Sequence, residues 1–516
     1  MIARKSLLIV FNNVVGGILG FISLYFIASR MGADSVGILG FGLSFIGMFT
    51  FISNLGFDSA HNKRVSEGRD LGECMGVYIR IKLKLTAVMV MISLIAIFIY
   101  GYVFDNFHSE KETHVVFIFL VYYVLWSLSI IAITTFNGLR KQALAQVPSI
   151  AEFIVRSPLI IALALLGMDI VSVAMVYLVG ITALLLLAWN FMRNIPISKP
   201  SQAMTKSYVE FATPMAIISF TSAFALYLDK VMISSLSDTT QVGLYYGAQR
   251  IVMFIITSSA SLAILLFPTI SRYHAEGRLM EIREMISSAE RYLSMLIFPA
   301  VALLAALSGP IMSIFGGMFN SSAAGWSLIY LSFYGLFSVL NKPFSQVITG
   351  TGRTRLAVII SLSIIIINTL LNLLLIPGWD FMPEKVLGFW MISGAVGAAA
   401  ATALADAVRF VMLRIEASKI LGYRMRYLVM IKFLISAVIS GSFVHILHHR
   451  ILMPDSIFFI IPEMVLGLGC YLLILGLFGE FTRKDFSFFL DLIHPGKMKE
   501  YIHGEIKGKE ESSGEK

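Results

Sequence analysis

The sequence predicts an all-α integral membrane protein with fourteen transmembrane helices, and three observations lead to this fold class. Hydrophobic residues make up 57% of the 516-residue chain, and charged residues make up only 14%. Soluble domains usually carry about 25% charged residues, so most of this protein's surface is suited to lipid. The apolar runs are about 20–30 residues long and do not alternate, which is typical of spanning helices and not of barrel strands.

The predicted spans follow one another along almost the whole chain. They cover residues 6–29, 36–60, 82–104, 114–136, 147–167, 169–192, 207–236, 240–269, 289–315, 325–349, 356–376, 388–417, 427–447 and 456–477. The first run continues to Ser29, well past the ~7–15 residues of a signal-peptide core, so we predict an uncleaved first helix. After the last span, Phe486–Ile493 is a candidate interfacial helix, and the Lys-, Glu-, Gly- and Ser-rich tail beyond Gly496 is predicted to be disordered.

The positions of the basic residues predict the orientation, because Lys and Arg accumulate in cytoplasmic loops. With the N-terminus in the cytoplasm, few of the forty Lys and Arg fall on the outer side. Those few are Arg30, Lys111, Lys230, Lys385 and Arg450. Arg250 lies deep in the eighth span, and the others fall in tails, inner loops or inner helix halves. The alternation continues to the C-terminus, which favours an even number of spans and places both termini in the cytoplasm.

An internal repeat divides the chain. The segment from Met31 to Gly37 (MGADSVG) resembles the segment ending in Val242-Gly243, at an offset of 243 − 37 = 206. A second similarity follows each: FDSAHNKRVSEG from Phe57 and FPTISRYHAEG from Phe267. Because each repeat holds six spans, an even number, both insert the same way round and are related by an axis along the membrane normal.

This repeat predicts four regions. Residues 1–193 form an N-lobe of spans 1–6, and residues 194–417 form a C-lobe of spans 7–12. Residues 418–480 add spans 13 and 14, and residues 481–516 form a partly disordered cytoplasmic tail. Two lobes with a seam between them suit alternating access, in which the seam opens to one face of the membrane and then to the other.

Several segments together resemble the polysaccharide transporter family of the O-antigen flippase type. The carrying segments are MGADSVG to Gly37, Asp229-Lys-Val-Met-Ile through Val242-Gly-Leu-Tyr-Tyr-Gly-Ala-Gln-Arg250, Pro268-Thr-Ile-Ser-Arg272 and Gly350-Thr-Gly-Arg-Thr-Arg355. The family belongs to the multidrug/oligosaccharidyl-lipid/polysaccharide exporter superfamily. The resemblance implies a V-shaped fold of two six-helix lobes, export of polyprenyl-linked oligosaccharides to the outer leaflet, and basic residues that meet the lipid phosphate.

Ionisable residues inside the spans are the candidate substrate-binding residues, since a charge at the bilayer centre costs at least about 2.5–3.5 kcal/mol. Arg250 lies about ten residues, or ~15 Å, into its span, where a guanidinium can bind a phosphate through two hydrogen bonds. The alternative is a structural ion pair with Asp229. Adjacent residues point about 100° apart, so we expect Asp229 to face Arg250 and Lys230 to snorkel outward.

Other polar residues have both a functional and a structural interpretation. Glu152 and Arg156, and likewise Asp406 and Arg409, lie on one helix face, either as a charge-tuned cavity wall or as internally neutralised pairs. Arg30 is either a gate or an interfacial anchor. The amides of Asn12, Asn13, Asn341, Asn368 and Asn372 can bond sugar hydroxyls or neighbouring helices.

No motif predicts an enzyme, a cofactor or a metal site. The two cysteines, Cys74 and Cys470, lie in unlike environments and cannot form a zinc site or a disulfide framework. His445, His448 and His449 lack a nearby acid or Cys cluster, and the chain has no nucleotide-binding motif. The net charge of +9 follows the inner loops, which excludes nucleic acid as its explanation.

We therefore expect a flippase for polyprenyl-(pyro)phosphate-linked oligosaccharides in the cell membrane, acting as a monomer, with H⁺ or Na⁺ as a possible coupling ion. The alternative is a multidrug-type small-molecule antiporter of the same superfamily, against which the deep Arg250 argues. A membrane glycan polymerase or ligase would need a sizeable outer loop, and the predicted outer loops are short.

Overall fold

The computed structural model of the protein is built from long helices. It describes residues 2–263, 266–378, 385–386, 389–390, 393–422, 427–452, 456–482 and 485. Twelve helices in these ranges are long and apolar enough to cross a membrane. The predicted all-α membrane fold is confirmed, while the candidate interfacial helix and the C-terminal tail lie outside the described residues.

Seventeen α-helices occur among the described residues. They are α1 Ile2–Gly47, α2 Thr50–Asn54, α3 Phe57–Ser66, α4 Leu71–Phe98, α5 Glu110–Gly138, α6 Gln142–Leu165, α7 Ile170–Phe191, α8 Gln202–Leu236, α9 Thr239–Ala263, α10 Leu266–Ala275, α11 Leu279–Ala306, α12 Ser308–Ser313, α13 Ser322–Gly350, α14 Thr354–Leu375, α15 Gly394–Leu421, α16 Tyr427–Leu447 and α17 Ile457–Leu477. Short π-helical turns follow α4 (Ile99–Val103) and α16 (His448–Leu452), and a 3-10 turn spans Gly317–Phe319. Two-residue strands, β1 Lys385–Val386 and β2 Phe389–Trp390, pair antiparallel.

The helices match the predicted spans closely, with two differences that bear on the count. The long α1 contains the first predicted span and most of the second, separated by a kink at Gly32, where φ is 83°. The eighth predicted span corresponds to α9 and α10, which are not among the twelve long apolar helices. The total of fourteen therefore stays a prediction.

The second predicted span, residues 36–60, is not one continuous helix. Leu55 and Gly56 have φ values of 40° and 82°, so the backbone turns left-handed between α2 and α3. An L-residue such as Leu rarely adopts this conformation, whereas Gly does so readily. Apolar composition alone carries no sign of this break, because it depends on backbone conformation and not on hydropathy.

Side-chain caps explain where four spanning helices begin. Asp70, Ser109, Asp169 and Ser321 each accept a hydrogen bond from the backbone N–H three residues later, at 2.7–3.3 Å. The first N–H groups of a helix have no partner inside the helix, and Ser and Asp are the residues that best satisfy them. These caps delimit α4, α5, α7 and α13.

The chain separates into two compact units. Among the described residues, unit 1 comprises residues 2–23 and 42–228, and unit 2 comprises residues 24–41 and those described between 229 and 485. In unit 2, α13 packs along α15, α9 and α11. The predicted boundaries at residues 193, 417 and 480 stay predictions.

In unit 1, a buried histidine joins four helices. His61 on α3 stacks on Tyr78 of α4, with ring centroids 4.0 Å apart. Its Nε2 lies 2.9 Å from Thr135 Oγ1 of α5, and its Nδ1 lies 2.9 Å from the Tyr208 hydroxyl of α8. Thr135 donates its own proton to the carbonyl of Ile131 at 2.7 Å, so it accepts from Nε2–H. The neutral tautomer with its proton on Nε2 satisfies this arrangement.

An ion pair lies beside this histidine. The Tyr78 hydroxyl and the Lys82 ammonium both donate to Oδ1 of Asp58, at 2.7 and 2.8 Å. Lys82 is buried, so the carboxylate of Asp58 supplies the counter-charge it needs. The pair therefore joins α3 to α4.

In unit 2, the glycines that the repeat pairs with each other lie in contact. A Cβ on Gly37 would lie 1.7 Å from the carbonyl oxygen of Thr239, and a Cβ on Gly243 would lie 2.0 Å from the carbonyl oxygen of Ala33. The contact is reciprocal, because Ala33 and Thr239 are also separated by 239 − 33 = 206 positions. The two backbones cross so closely at this point that only glycine fits.

We predict that Gly37→Ala destabilises the protein, because its methyl group cannot enter the crossing unless the helices separate. Overpacking of this kind costs about 1–3 kcal/mol or more. The apparent Tm of the purified protein in detergent should fall clearly, and Gly243→Ala should behave alike. Gly469→Ala is the matched control, since nothing lies within 4 Å of its added Cβ. Equal Tm values for the two kinds of variant would contradict the crossing.

We predict a second, pH-dependent effect at His61, which lies outside the twelve candidate spans. Burial lowers the pKa of His61 from 6.5 to about 3. Below pH 6.5 the unfolded state therefore binds more protons than the folded state. The contribution of neutral His61 to the free energy of unfolding is fully present above pH 6.5, and it is lost as the pH falls, by at most ~1.4 kcal/mol per pH unit. Between pH 7.5 and pH 5, the apparent Tm of His61→Gln should fall less than that of the native protein. The exposed His274→Gln should keep the native slope, and a native slope in His61→Gln would refute this.

Candidate functional site

A buried carboxylate in unit 2 is the most distinctive polar site in the described part of the chain. Asp229 lies on α8, and its Oδ2 accepts a hydrogen bond from the Tyr245 hydroxyl of α9 at 2.7 Å. Its Oδ1 accepts one from Asn372 Nδ2 of α14, also at 2.7 Å. Thr402 Oγ1 of α15 lies 2.9 Å from Oδ2. Four helices thus converge on one carboxylate, and all three of these partners are neutral.

Two oxygen atoms of this Asp229 site have unusual hydrogen bonding. The Thr402 hydroxyl has one proton and two acceptors at 2.9 Å, the carbonyl of Ala398 and Asp229 Oδ2. When it bonds Ala398, a lone pair of its oxygen faces the carboxylate. The buried Oδ1 of Asn372 has no hydrogen-bond partner among the described residues. Such an atom usually has an explanation in an ion, a water or a function.

The amides of α14 can supply further oxygen ligands. Asn368 Oδ1 accepts from Asn372 Nδ2 at 3.2 Å, and Asn368 Nδ2 reaches Thr402 Oγ1 at 3.4 Å. Rotating the Asn372 amide by 180° would exchange its nitrogen for an oxygen beside Asp229. A carboxylate with amide and hydroxyl oxygens around it suits a hard cation, which prefers oxygen ligands.

Lys230, the neighbour of Asp229, lies elsewhere than we predicted. It is 2% exposed, and its ammonium donates to Gln249 Oε1 of α9 at 2.8 Å. The expectation that it snorkels outward is wrong. Gln249, which the sequence analysis did not single out, neighbours Arg250 and offers this buried lysine a polar partner, so burial costs Lys230 less than hydropathy suggests.

Arg250 is exposed, and its described hydrogen bond is donated to the Tyr246 hydroxyl one turn earlier on α9. Its guanidinium lies 4.8 Å from the centre of the same ring. The predicted pair with Asp229 is not formed among the described residues, because Asp229 is bonded by Tyr245, Thr402 and Asn372 instead. The described contacts of the guanidinium are therefore with Tyr246 and not with the carboxylate that we expected to neutralise it.

In unit 1, Glu152 and Arg156 of α6 form the ion pair that their spacing indicated. Arg156 Nε lies 3.4 Å from Glu152 Oε1, and the Arg156 guanidinium lies 4.5 Å from the ring centre of Tyr177 on α7. Gly180 of α7 makes room for the pair, since a Cβ there would lie 3.0 Å from Arg156 Cβ.

The remaining predicted residues are dispersed. Asp406 accepts a hydrogen bond from Arg409 at 3.1 Å, and its Oδ2 is buried without a hydrogen-bond partner in the described structure. Arg30 is exposed near the kink of α1. His448 is buried against Glu463, 3.0 Å from Oε2, and no metal-ligating group of three His, Cys, Asp or Glu side chains occurs in the part of the chain that the structure describes.

The residues of the Asp229 site that sequence reasoning missed are Tyr245 and Thr402. Hydroxyl groups are frequent in membrane helices, so neither residue stands out from its run. The only available signal was that Tyr245 lies sixteen positions after Asp229, and this spacing alone does not predict contact. Asn368 and Asn372 were singled out as amides, with a different use in view.

Comparison with known proteins places this structure in a family. The sequence profile of the family described as "Polysaccharide biosynthesis protein" matches residues 2–274, and that of the family described as "MatE" matches residues 214–374. The "Probable low-salt glycan biosynthesis flippase Agl15" of Haloferax volcanii is 25% identical over 431 residues, covering 83% of this chain and 85% of the relative.

Solved structures share the fold. The inward closed conformation of the lipid II flippase MurJ has a TM-score of 0.72 at 14% identity, covering 91% of this chain and 98% of that one. The inward-facing conformation of a multidrug resistance MATE family transporter has a TM-score of 0.62 at 15% identity, covering 78% and 95%.

The first profile covers more than half of the 516 residues, from the first described helix to α10. It also agrees with the segments on which the resemblance was based, several of which lie in this range. The chain is a multi-pass membrane protein, and it belongs to the polysaccharide biosynthesis protein family.

Proposed function

We propose that this protein is a transporter that moves polyprenyl-(pyro)phosphate-linked oligosaccharides from the cytoplasmic to the outer leaflet by alternating access, for the assembly of surface glycans. The observation that carries the proposal is the similarity to a glycan biosynthesis flippase along 83% of the chain, within a polysaccharide biosynthesis family. The fold likeness to a lipid II flippase over 91% of the chain supports it.

Two cations on α8 and α9 suit the anionic headgroup of such a substrate. Arg250 is exposed and not neutralised by Asp229, and a guanidinium binds phosphate through paired hydrogen bonds. Lys230 is buried one residue beyond Asp229 and bonds a neutral amide. We therefore keep Arg250 as the principal phosphate ligand and assign Lys230 a supporting electrostatic role. Arg30, Glu152 and Arg156 remain proposed substrate contacts.

A multidrug-type antiporter is the second candidate, favoured by the MatE profile over residues 214–374 and by the likeness to MATE transporters. The glycan proposal is preferred for three reasons. The MatE profile covers less of the chain than the polysaccharide profile, and the MATE structure has a lower TM-score than the lipid II flippase. An exposed arginine also suits an anionic substrate better than a cationic drug.

The proposed setting is the cell membrane, with both termini in the cytoplasm and the protein acting as a monomer. The positive-inside distribution of Lys and Arg supports this orientation. An inside-negative potential then drives an anionic headgroup outward by ~2.3 kcal/mol per charge per 100 mV. That term assists export but depends on the charge of the substrate.

The Asp229 site is the proposed site for a coupling ion, and we favour Na⁺ over H⁺. A proton needs only the carboxylate, whereas Thr402, Asn368 and Asn372 add three neutral oxygens that a metal cation can use. The partnerless Oδ1 of Asn372 supports this choice. Because the site joins α8, α9, α14 and α15, ion binding would draw these four helices together and thereby bias the conformation.

We predict that Arg250→Ala lowers flipping of a polyprenyl-diphosphate-linked oligosaccharide at least tenfold in proteoliposomes, since a lost charge-assisted hydrogen bond is worth about 1.5–3 kcal/mol. Arg250→Lys should retain part of the activity, because it keeps the charge but not the paired geometry. The exposed Arg69→Ala is the control.

Two outcomes would decide between the candidate functions. Native protein that flips no glycolipid, but exchanges a cationic drug for an ion, would overturn the flippase proposal in favour of the antiporter. If the native protein and Arg250→Ala flip glycolipid equally well, the proposed function stands, but Arg250 is not part of the substrate site.

We predict that Asp229→Asn abolishes stimulation by Na⁺. At constant pH and potential, a Na⁺ gradient should speed flipping by the native protein, and Na⁺ but not K⁺ should raise its apparent Tm, because a ligand that binds only the folded state stabilises it. Neither effect should occur in Asp229→Asn. The control is Asp105→Asn. Asp105 is exposed and has φ of 48°, a backbone conformation that Asn tolerates.

The same assays separate the ions. Stimulation by a pH gradient alone, lost in Asp229→Asn, would assign the site to H⁺ instead of Na⁺. A coupling role for Asp229 would be contradicted if neither a Na⁺ gradient nor a pH gradient changed flipping by the native protein, and if Na⁺ left its Tm unchanged.

A further inference from the structure

A cluster of aromatic side chains lines one region of unit 1. Tyr122 and Trp126 are one turn apart on α5, with rings tilted by only 17° and centroids 6.5 Å apart. Tyr177 of α7 meets Tyr122 edge to face, with centroids 6.1 Å apart. Three rings from two helices thus form a continuous aromatic surface, which we call the aromatic platform.

The acid–base pair of α6 adjoins this platform. The Arg156 guanidinium lies over the ring of Tyr177 at 4.5 Å, and Tyr177 itself packs edge to face on Tyr122. Glu152 is 3% exposed. The platform and the pair therefore belong to one site, formed by α5, α6 and α7.

Several polar atoms of this site make no hydrogen bond with another described residue. Glu152 Oε1 is buried and accepts no hydrogen bond in the described structure, although it lies 3.4 Å from Arg156 Nε. The described residues also provide no hydrogen-bond partner for the Tyr122 hydroxyl or the Trp126 indole N–H. A polar atom that is buried without a hydrogen-bond partner is costly, so a site built only for packing would have an apolar side chain in place of Glu152.

The platform lies away from the most exposed faces of its helices. On α5 the exposed side is marked by Phe117 and Val121, at 43% and 48% exposure. At 100° per residue, Trp126 lies about 140° round the helix from Val121. On α6, Ile154 is 57% exposed and lies about 160° from Glu152, on the opposite side. These polar and aromatic groups thus face the inside of unit 1.

We propose that the aromatic platform and the Glu152–Arg156 pair form a subsite for an uncharged sugar residue of the transported glycan. This inference rests on the proposed flippase function and adds which part of the substrate the site takes. A pyranose ring has a C–H face that packs on aromatic rings and hydroxyls at its edge that donate and accept hydrogen bonds. Stacked rings beside a carboxylate and a guanidinium match both features.

The Glu152 carboxylate disfavours the phosphate part of the headgroup at this site. A phosphate here would lie beside the Glu152 carboxylate, and like charges repel strongly where little water screens them. A sugar hydroxyl can instead donate to Glu152 Oε1 and accept from Arg156, the Trp126 N–H or the Tyr122 hydroxyl. The subsite therefore recognises sugar hydroxyls, and the phosphate is left to Arg250.

Equilibrium binding to the purified full-length protein in nanodiscs tests this assignment with two probes. One is polyprenyl diphosphate carrying a defined neutral disaccharide, and the other is the same polyprenyl diphosphate without sugar. Glu152→Gln should weaken binding of the glycosylated probe about tenfold or more, because a hydrogen bond to a charged group is lost. The affinity for the bare probe should change less than twofold. The exposed Glu210→Gln is the control for loss of one charge.

Milder variants guard against misfolding. Tyr122→Phe removes one hydroxyl, and Trp126→Phe removes the indole N–H while keeping an aromatic ring. Both variants should keep the native Tm, and both should weaken binding of the glycosylated probe alone. The disaccharide lipid should also alter the fluorescence of the native protein and of Trp189→Phe, but not of Trp126→Phe.

The outcomes separate this subsite from the function on which it rests. If the native protein neither binds nor flips any glycosylated lipid, the proposed function fails and the subsite fails with it. If it flips the disaccharide lipid, and Glu152→Gln, Tyr122→Phe and Trp126→Phe bind both probes as the native protein does, the flippase stands and the sugar subsite is overturned. The subsite is also overturned if these variants bind both probes more weakly by the same factor.

Discussion

A polar group inside a membrane helix must find its partner within the protein, because the hydrocarbon offers none. The described structure meets this requirement mainly by local convergence. Asp229 gathers a tyrosine, a threonine and an asparagine from three other helices, Lys230 takes a glutamine, and Lys82 takes an aspartate. These contacts specify which helix faces meet within each unit, since hydrophobic packing against lipid-like neighbours distinguishes faces only weakly.

The same requirement explains where function is placed. Groups that are fully satisfied, such as His61 and the Asp58–Lys82 pair, hold helices together. Groups with an oxygen that accepts no hydrogen bond, such as Asn372 and Glu152, are the ones for which we propose a cation and a sugar hydroxyl as ligands. A transporter needs sites of the second kind, since its ligands must enter and leave. The two kinds of site differ by single atoms, which is why their partners had to be known atom by atom.

How far sequence reasoning reached can be judged from Asp229, Lys230 and Arg250. Hydropathy correctly marked all three as unusual, because charged residues are rare in such helices. It did not predict that Lys230 would be buried. Nor did it predict that Arg250 would bond Tyr246, or that Asp229 would bond Asn372, which is 143 positions away in the sequence. Asp229 and Lys230 do bond different partners, but both side chains are buried, whereas we expected only Asp229 to face inward. Which directions lead to the interior depends on neighbouring helices whose positions the sequence does not give.

The sequence by itself determined the membrane class, the order of the helices and the repeat that pairs Gly37 with Gly243. Each of these depends on composition or on short-range pattern, which a chain carries wherever it folds. Only the tertiary structure decided the left-handed break at Leu55 and Gly56, the ligands of Asp229 and the aromatic platform beside Glu152. These depend on contacts between helices remote in sequence, whose relative rotation hydropathy does not record.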